Sequence, residues 1–369
     1  MLDRQNILIL TSKTGGGHVS LAESLRDRLA DNYTIEIIDP QPVFFHLHYR
    51  LVSRYALWLW AAEFQYTDSP RRALFAHRVF TRLVAKQLHA LVERIQPACI
   101  ITTYPFLSYE MMRVLEQRND HIPFAMLLAD PNNVHASWLT ERHADAIFAP
   151  TRETYAQCLK AGIDPQRVHL TGWPVRNQFY HAGRVARSET LNKLHLDPDR
   201  FTVFLQGGGE GAAKFGRTVE TVLGAGENVQ VILATGTNTA LLNRFNNVKN
   251  LYALPFTKDI ATYMAAADVI MGKAGPNMLF ESVTLGKPFI ATAYIPGQEE
   301  VNLDFIRRHS LGWVALESAQ QQTLVQELAS TPAILHGMQS SVQIYREWNT
   351  SATEAIVPLI EGMVCRAPV

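Results

Sequence analysis

Ile7-Leu8-Ile9-Leu10-Thr11-Ser12-Lys13-Thr14-Gly15-Gly16-Gly17-His18-Val19-Ser20-Leu21-Ala22 is the stretch whose reading decides the fold. Four apolar residues in a row fit a strand buried on both faces. Three glycines follow, and then Val19, Leu21, Ala22, Leu25 and Leu29 recur at helical spacing. Strand, glycine turn and helix together leave backbone N–H groups at a helix N-terminus, where a phosphate or another anion can sit. A second loop of this kind, Gly207-Gly208-Gly209, follows the apolar run Val203-Phe204-Leu205. One loop in each half of a 369-residue chain predicts two nucleotide-type domains facing a shared cleft. That arrangement suits an enzyme bringing a phosphorylated donor to a separate acceptor.

Further strands are read at 35–39, 98–103, 124–128 and 146–148 in the first half. In the second half they fall at 229–233, 251–254, 269–271 and 289–292, with helices such as 260–267 and 279–285 between them. The βαβ rhythm predicts an α/β chain with parallel sheets covered on both faces. Ligands in such sheets bind at the carboxyl ends of the strands, where Gly15 to His18, Asp39, Tyr104-Pro105 and Asp130 all fall. Gly172-Trp173-Pro174-Val175 marks a crossing between domains, and 183–200 is charged and less patterned.

Formal charge is zero, so no global attraction to nucleic acid is expected. Cys99, Cys158 and Cys365 form no CxxC pair, which argues against a zinc site or a disulfide framework and fits a reducing compartment. The first strand begins too early for a leader, and no apolar run approaches the ~20 residues that cross a bilayer. A cytoplasmic protein, at most peripheral to the membrane's cytoplasmic face, is the expectation.

One segment departs from this pattern. Phe44, Phe45, Tyr49, Tyr55, Trp58, Trp60, Phe64 and Tyr66 crowd into 44–66, and 50–94 holds eight Lys or Arg against three acids. Amphipathic aromatics beside cations suit docking on an anionic lipid surface. The bland alternative is a core helix with a solvated basic face.

The most specific stretch runs Leu254-Pro255-Phe256-Thr257-Lys258-Asp259, then Gly272-Lys273-Ala274-Gly275-Pro276-Asn277-Met278-Leu279-Phe280-Glu281, then Pro296-Gly297-Gln298-Glu299-Glu300-Val301-Asn302. Here the chain resembles the C-terminal domain of the GT-B glycosyltransferases of family 28, which include diacylglycerol galactosyl- and glucosyltransferases and the peptidoglycan N-acetylglucosaminyl transferase. Thr11 through Ala22, Asp130 with His135 and Trp138, and Gly172-Trp173-Pro174-Val175-Arg176 most resemble the monogalactosyldiacylglycerol synthase branch. The resemblance implies a GT-B fold, two Rossmann-like domains with parallel sheets facing a central cleft. Residues 1–175 would bind the acceptor and 176–341 the UDP-sugar, while 342–369, with a helix at about 342–359, would pack back on the first domain.

Gly275 and Pro276 ahead of a helix form another anion-binding start, suited to a nucleotide diphosphate. In resembling enzymes this helix faces the pyrophosphate, and the acid matched by Glu281 holds the ribose hydroxyls; a carboxylate can accept from two vicinal hydroxyls at once. Gln298 and Glu299 match positions that bind hydroxyls of the donor sugar, and Phe256 matches the strand end that reads uracil. With Gly207, Gly208, Gly209, Lys273 and Asn277 these make up the expected donor site. Two departures bear on it. Asn277-Met278 replaces the Gly-Thr of the glycolipid synthases, and Glu210-Gly211 puts a negative charge close to the second glycine loop.

On the acceptor side, His18 reads either as the base that activates a hydroxyl or as a polar group orienting the glycine turn. Asp130, at the end of an apolar strand, competes for the base role. His135 reads as orienting Asp130 or touching lipid headgroups. Gly16, Gly17, Trp138, Tyr55, Trp58 and Trp60 complete the expected acceptor-binding set. The expected reaction is one inverting displacement from UDP-galactose or UDP-glucose to diacylglycerol or a similar lipid. No metal is expected to take part, because Asp197-Pro198-Asp199, the one Asp-x-Asp sequence, reads as a turn. UDP-N-acetylglucosamine as donor, a nucleotide-sugar epimerase and a non-catalytic UDP-sugar sensor are the alternatives.

Overall fold

The structure is a computed structural model describing residues 4–118, 120–207 and 215–366. The apolar runs become two six-stranded sheets, parallel throughout. The first comprises β1 (Asn6–Leu10), β2 (Thr34–Ile38), β3 (Cys99–Thr102), β4 (Phe124–Leu127), β5 (Ala146–Ala149) and β6 (Val168–Leu170), in the order β2-β1-β3-β4-β5-β6. The second comprises β7 (Phe201–Gln206), β8 (Val229–Gly236), β9 (Leu251–Pro255), β10 (Val269–Lys273), β11 (Phe289–Ala293) and β12 (Gly312–Val314), in the order β12-β11-β10-β7-β8-β9. Ile7 to Leu10 and Val203 to Leu205 are fully buried, as strands covered on both faces must be.

The chain forms two compact units. One takes in Met1–Arg176, Ile295–Val301 and Trp348–Val369; the other takes in Asn177–Tyr294 and Asn302–Glu347. Asn349 ties the last of these segments into the first unit. Its Oδ1 accepts from the Trp173 N–H at 2.7 Å, and its Nδ2 donates to the Trp173 carbonyl at 3.0 Å. The helix expected at 342–359 is two helices, Pro332–Thr353 and Ile356–Arg366, because the chain turns at Glu354-Ala355.

Three helices in the first unit fill the long excursion between β2 and β3. They are α2 (Val43–Tyr55), α3 (Leu57–Thr67) and α4 (Pro70–Ile95), after α1 (Gly17–Leu29) between β1 and β2. Helix α4 is an ordinary amphipathic helix. It buries Ala73, His77, Phe80, Val84, Leu88, Leu91, Val92 and Ile95, at spacings of three, four and one. It ends in left-handed Gln96 just before Pro97, which cannot continue a helix. Helix α3 buries none of its residues.

Candidate active site

In the first sheet β2 lies on one side of β1 and β3 on the other, so strand order reverses between β1 and β3. Such a switch point opens a crevice at the carboxyl ends of the two strands. The glycine loop leaves β1 there, and Thr103-Tyr104 leaves β3. Gly15 turns the loop at φ +73°, and a side chain on it would meet the Tyr49 hydroxyl at 2.9 Å. Helix α1 starts at Gly17 with no capping side chain and no acid in its first turn.

His18 is the second residue of α1, and its Nδ1 lies 2.7 Å from the Thr103 carbonyl oxygen. A carbonyl only accepts, so Nδ1 carries the proton and the neutral ring keeps its lone pair on Nε2. Nε2 makes no hydrogen bond among the described residues. Burial pushes the imidazole down to about 4, against weaker upward pulls from the Thr103 carbonyl and the Asp39 charge. Loss of hydration therefore keeps the ring neutral. Tyr104 packs edge-on to the ring at 5.0 Å.

Asp130 follows β4. Its Oδ2 accepts from the His135 N–H at 3.2 Å. Burial nevertheless raises it to about 6, with help from the Asp68 charge. Of the two readings of His135, the backbone supplies the one in which it orients Asp130. Its ring is buried: Nδ1 accepts from the Ser137 N–H at 3.2 Å, so Nε2 carries the proton and donates to the Phe64 carbonyl at 3.1 Å. The ring thus staples α3 to the Asp130 loop. Trp138 likewise lies in the core beneath that loop.

In the second sheet the order reverses between β7 and β10. Gly207 follows β7 and Lys273 ends β10, so both reach that switch point. Gly208 and Gly209, with the Glu210-Gly211 departure, lie outside the described residues. Gly275 is the N-cap of the helix Pro276–Thr284, Pro276 is its first residue, and no acid occupies its first turn. Pro suits that position, where its missing N–H would have no helical partner. Asn277 is in the same turn, and Glu281 is buried further along the helix. A side chain on Gly272 would meet the Gln206 carbonyl oxygen at 2.2 Å and the Met278 methyl at 2.9 Å, so the Met278 departure packs against β10. Asn302 is buried and donates to the Ala274 carbonyl at 2.9 Å, holding the loop ahead of Gly275. It was legible only as part of the Gln298-to-Asn302 run, with no role attached. Phe256, just past β9, is exposed. Asp197 accepts from the Asp199 N–H at 2.9 Å, so Asp-Pro-Asp is a turn.

Gln298 and Glu299 sit in the segment Ile295–Val301 of the first unit. Glu299 is buried and its Oε2 accepts from the Ile295 N–H at 2.9 Å. Asn132, two residues past Asp130, donates to the Val301 carbonyl at 2.6 Å. Trp60 of α3 donates its indole N–H to Gln298 Oε1 at 3.1 Å.

Tyr55 and Trp58 are each 74% exposed, unlike half-buried Trp60. Eleven of the fifteen large hydrophobics exposed among the described residues lie between Val43 and Leu83, on α2, α3 and α4. Arg50, Arg71, Arg72, Arg78, Arg82 and Lys86 are exposed on the same helices, Arg72 lying over the Tyr66 ring. Helix α4 has the buried stripe and solvated basic face of a core helix, whereas α3 buries none of its residues. No helix of the described residues is long and apolar enough to cross a membrane.

Two parallel sheets, each reversing its strand order at a switch point, define the GT-B fold. Solved structures share the fold. LpCGTa in complex with UDP matches with TM-score 0.66 at 14% identity, covering 99% of this chain and 100% of that one. A UDP-GlcNAc 2-epimerase from Neisseria meningitidis bound to UDP-GlcNAc matches with TM-score 0.61 at 13% identity, covering 97% and 99%. The model of the monogalactosyldiacylglycerol synthase family matches residues 18–175 and that of the glycosyltransferase family 28 C-terminal domain matches residues 202–331, which makes the chain a glycosyltransferase. A probable monogalactosyldiacylglycerol synthase 2 of Oryza sativa subsp. indica is 28% identical over 84% of this chain and 70% of its own length. Monogalactosyldiacylglycerol synthase 2 of Arabidopsis thaliana is 27% identical over 89% and 74%.

Proposed function

We propose that the chain moves a hexose from UDP-galactose or UDP-glucose to the free hydroxyl of diacylglycerol or a similar membrane lipid, with inversion. The first unit takes the acceptor and the second the UDP part of the donor. The observation that carries this reading is the neutral His18 at the first switch point, its Nδ1–H fixed by Thr103 and its Nε2 lone pair unengaged. The acceptor oxygen attacks the anomeric carbon as the bond from that carbon to the UDP oxygen breaks. The hydroxyl proton passes to His18 Nε2. Asp130 is the stronger base, but its carboxylate is engaged by the His135 N–H, so its part is to stabilise positive charge nearby. The charge developing on UDP is met by the start of the helix Pro276–Thr284 and by Lys273, without a metal.

The aromatic and basic surface of α2 to α4 holds the enzyme on an anionic membrane, where its acceptor is dissolved. Names of the plant relatives support galactose as the sugar and diacylglycerol as the lipid. The test is UDP release by the purified protein with UDP-galactose, UDP-glucose or UDP-N-acetylglucosamine, with and without diacylglycerol in anionic liposomes. Lipid-dependent release with one hexose donor is expected. Lipid-independent conversion of the donor, or UDP binding without turnover, overturns the proposal.

A further inference from the structure

Trp60 was expected to serve the lipid acceptor, but its indole nitrogen is spent on Gln298. An indole N–H only donates, so the Gln298 atom facing it has to be the amide oxygen. That contact fixes which way the amide points. A free glutamine side chain presents oxygen or nitrogen about equally well after a half-turn of its amide. Held by Trp60, Gln298 keeps its NH2 group for another partner, and Nε2 makes no hydrogen bond among the described residues. Both sides of the contact are themselves held. The Tyr49 ring packs edge-on to Trp60 at 5.1 Å, and Gly297 backs onto Ala61 and Gln65 of α3. At its far end the segment is secured by Asn132.

We infer that Trp60 is a positioning residue for donor recognition: it locks Gln298 as a pure hydrogen-bond donor, so that the donor-sugar hydroxyl it meets must accept. This rests on the reading of Gln298 as a donor-sugar contact. A locked donor discriminates between epimeric hydroxyls by direction, while a freely turning amide adapts to either. The consequence is selectivity between UDP-hexoses, set by a helix that otherwise presents its aromatics to solvent.

The experiment is a double-mutant cycle on the full chain, with donor KM and kcat/KM measured for UDP-galactose and UDP-glucose in diacylglycerol liposomes. Trp60→Phe keeps the ring and removes the N–H, and Gln298→Ala removes the amide. Trp60→Phe is expected to raise the KM of the preferred donor by about 3- to 10-fold, the range of one hydrogen bond, and to narrow the ratio between the two donors. Lipid dependence stays unchanged. In the Gln298→Ala background Trp60→Phe adds nothing. Gln298→Glu, which keeps the oxygen for Trp60 and loses both N–H groups, matches Gln298→Ala in donor KM. An effect of Trp60→Phe that persists in the Gln298→Ala background, or one confined to lipid dependence, overturns the inference. Gln298→Ala with donor KM unchanged overturns the underlying reading of Gln298 instead. Unfolding midpoints of all variants separate these outcomes from misfolding.

Discussion

The two switch points are built from the same parts and end in different chemistry. Each opens beside a buried central strand, and each has a helix start that no side chain caps and no acid approaches in the first turn. At the first, a histidine is the second residue of the helix and burial keeps it neutral. At the second, a lysine ends the neighbouring strand and a buried glutamate lies on the helix. A neutral nitrogen can take a proton; a cation and a carboxylate can hold a charged, hydroxyl-bearing nucleotide. Backbone geometry makes a crevice, and the side chains at its edge decide whether it binds or reacts.

The sharpest way to break this division is at His18. Replacing His18 by Ala is expected to lower kcat by about 10²- to 10⁴-fold, the usual worth of a positioned base, read from initial rates in liposomes. A variant that keeps its rate would move proton transfer to the other candidate.

The pH profile separates those two by sign and position. His18 is depressed, so it stays an unprotonated base as pH falls until about 4. Asp130 is raised, so a rate depending on its free carboxylate would begin to fall near 6. With His18 as the base, kcat holds through pH 6 and declines only toward 4, about tenfold per pH unit below that point. A decline centred near 6 that disappears in Asp130→Asn would assign the proton to Asp130.

A smaller effect belongs to the aromatic surface. Trp58→Ala and Tyr55→Ala should each weaken binding to anionic vesicles by roughly 3- to 10-fold, the cost of part of one aromatic burial, with UDP affinity unchanged. Sedimentation with vesicles checks this, and unchanged partition would return the exposed rings to another partner. Smallest in functional terms is Asn349→Ala. It strips a buried amide from both backbone groups of Trp173 and should cost about 1–3 kcal/mol of stability, seen as a lower denaturation midpoint of the first unit. Turnover at low temperature should survive.

Ten of the twelve strands among the described residues were legible, because runs such as Ile7 to Leu10 and Val203 to Leu205 are apolar over their whole length. The missing two, β6 and β12, are three residues long, stand at sheet edges and carry His169 and Trp313, half-buried side chains that break the apolar signal. His18 and Asp130 stood out by their place after strands, but the partner that fixes the His18 tautomer is the Thr103 backbone carbonyl, which any residue supplies. The charge and aromatic content of 44–94 were visible, but composition does not say which way a ring faces. The bond between Trp60 and Gln298 joins residues 238 positions apart, and no local pattern announces it.

The central claim, that one unit reacts and the other binds, is tested most directly by titrating UDP into His18→Ala and Glu281→Ala beside the unaltered protein. The account predicts that Glu281→Ala loses about 10- to 100-fold in UDP affinity, as a charged hydrogen-bond acceptor would, while His18→Ala binds UDP normally and fails to turn over. Lost UDP binding in His18→Ala, or full affinity in Glu281→Ala, would contradict it.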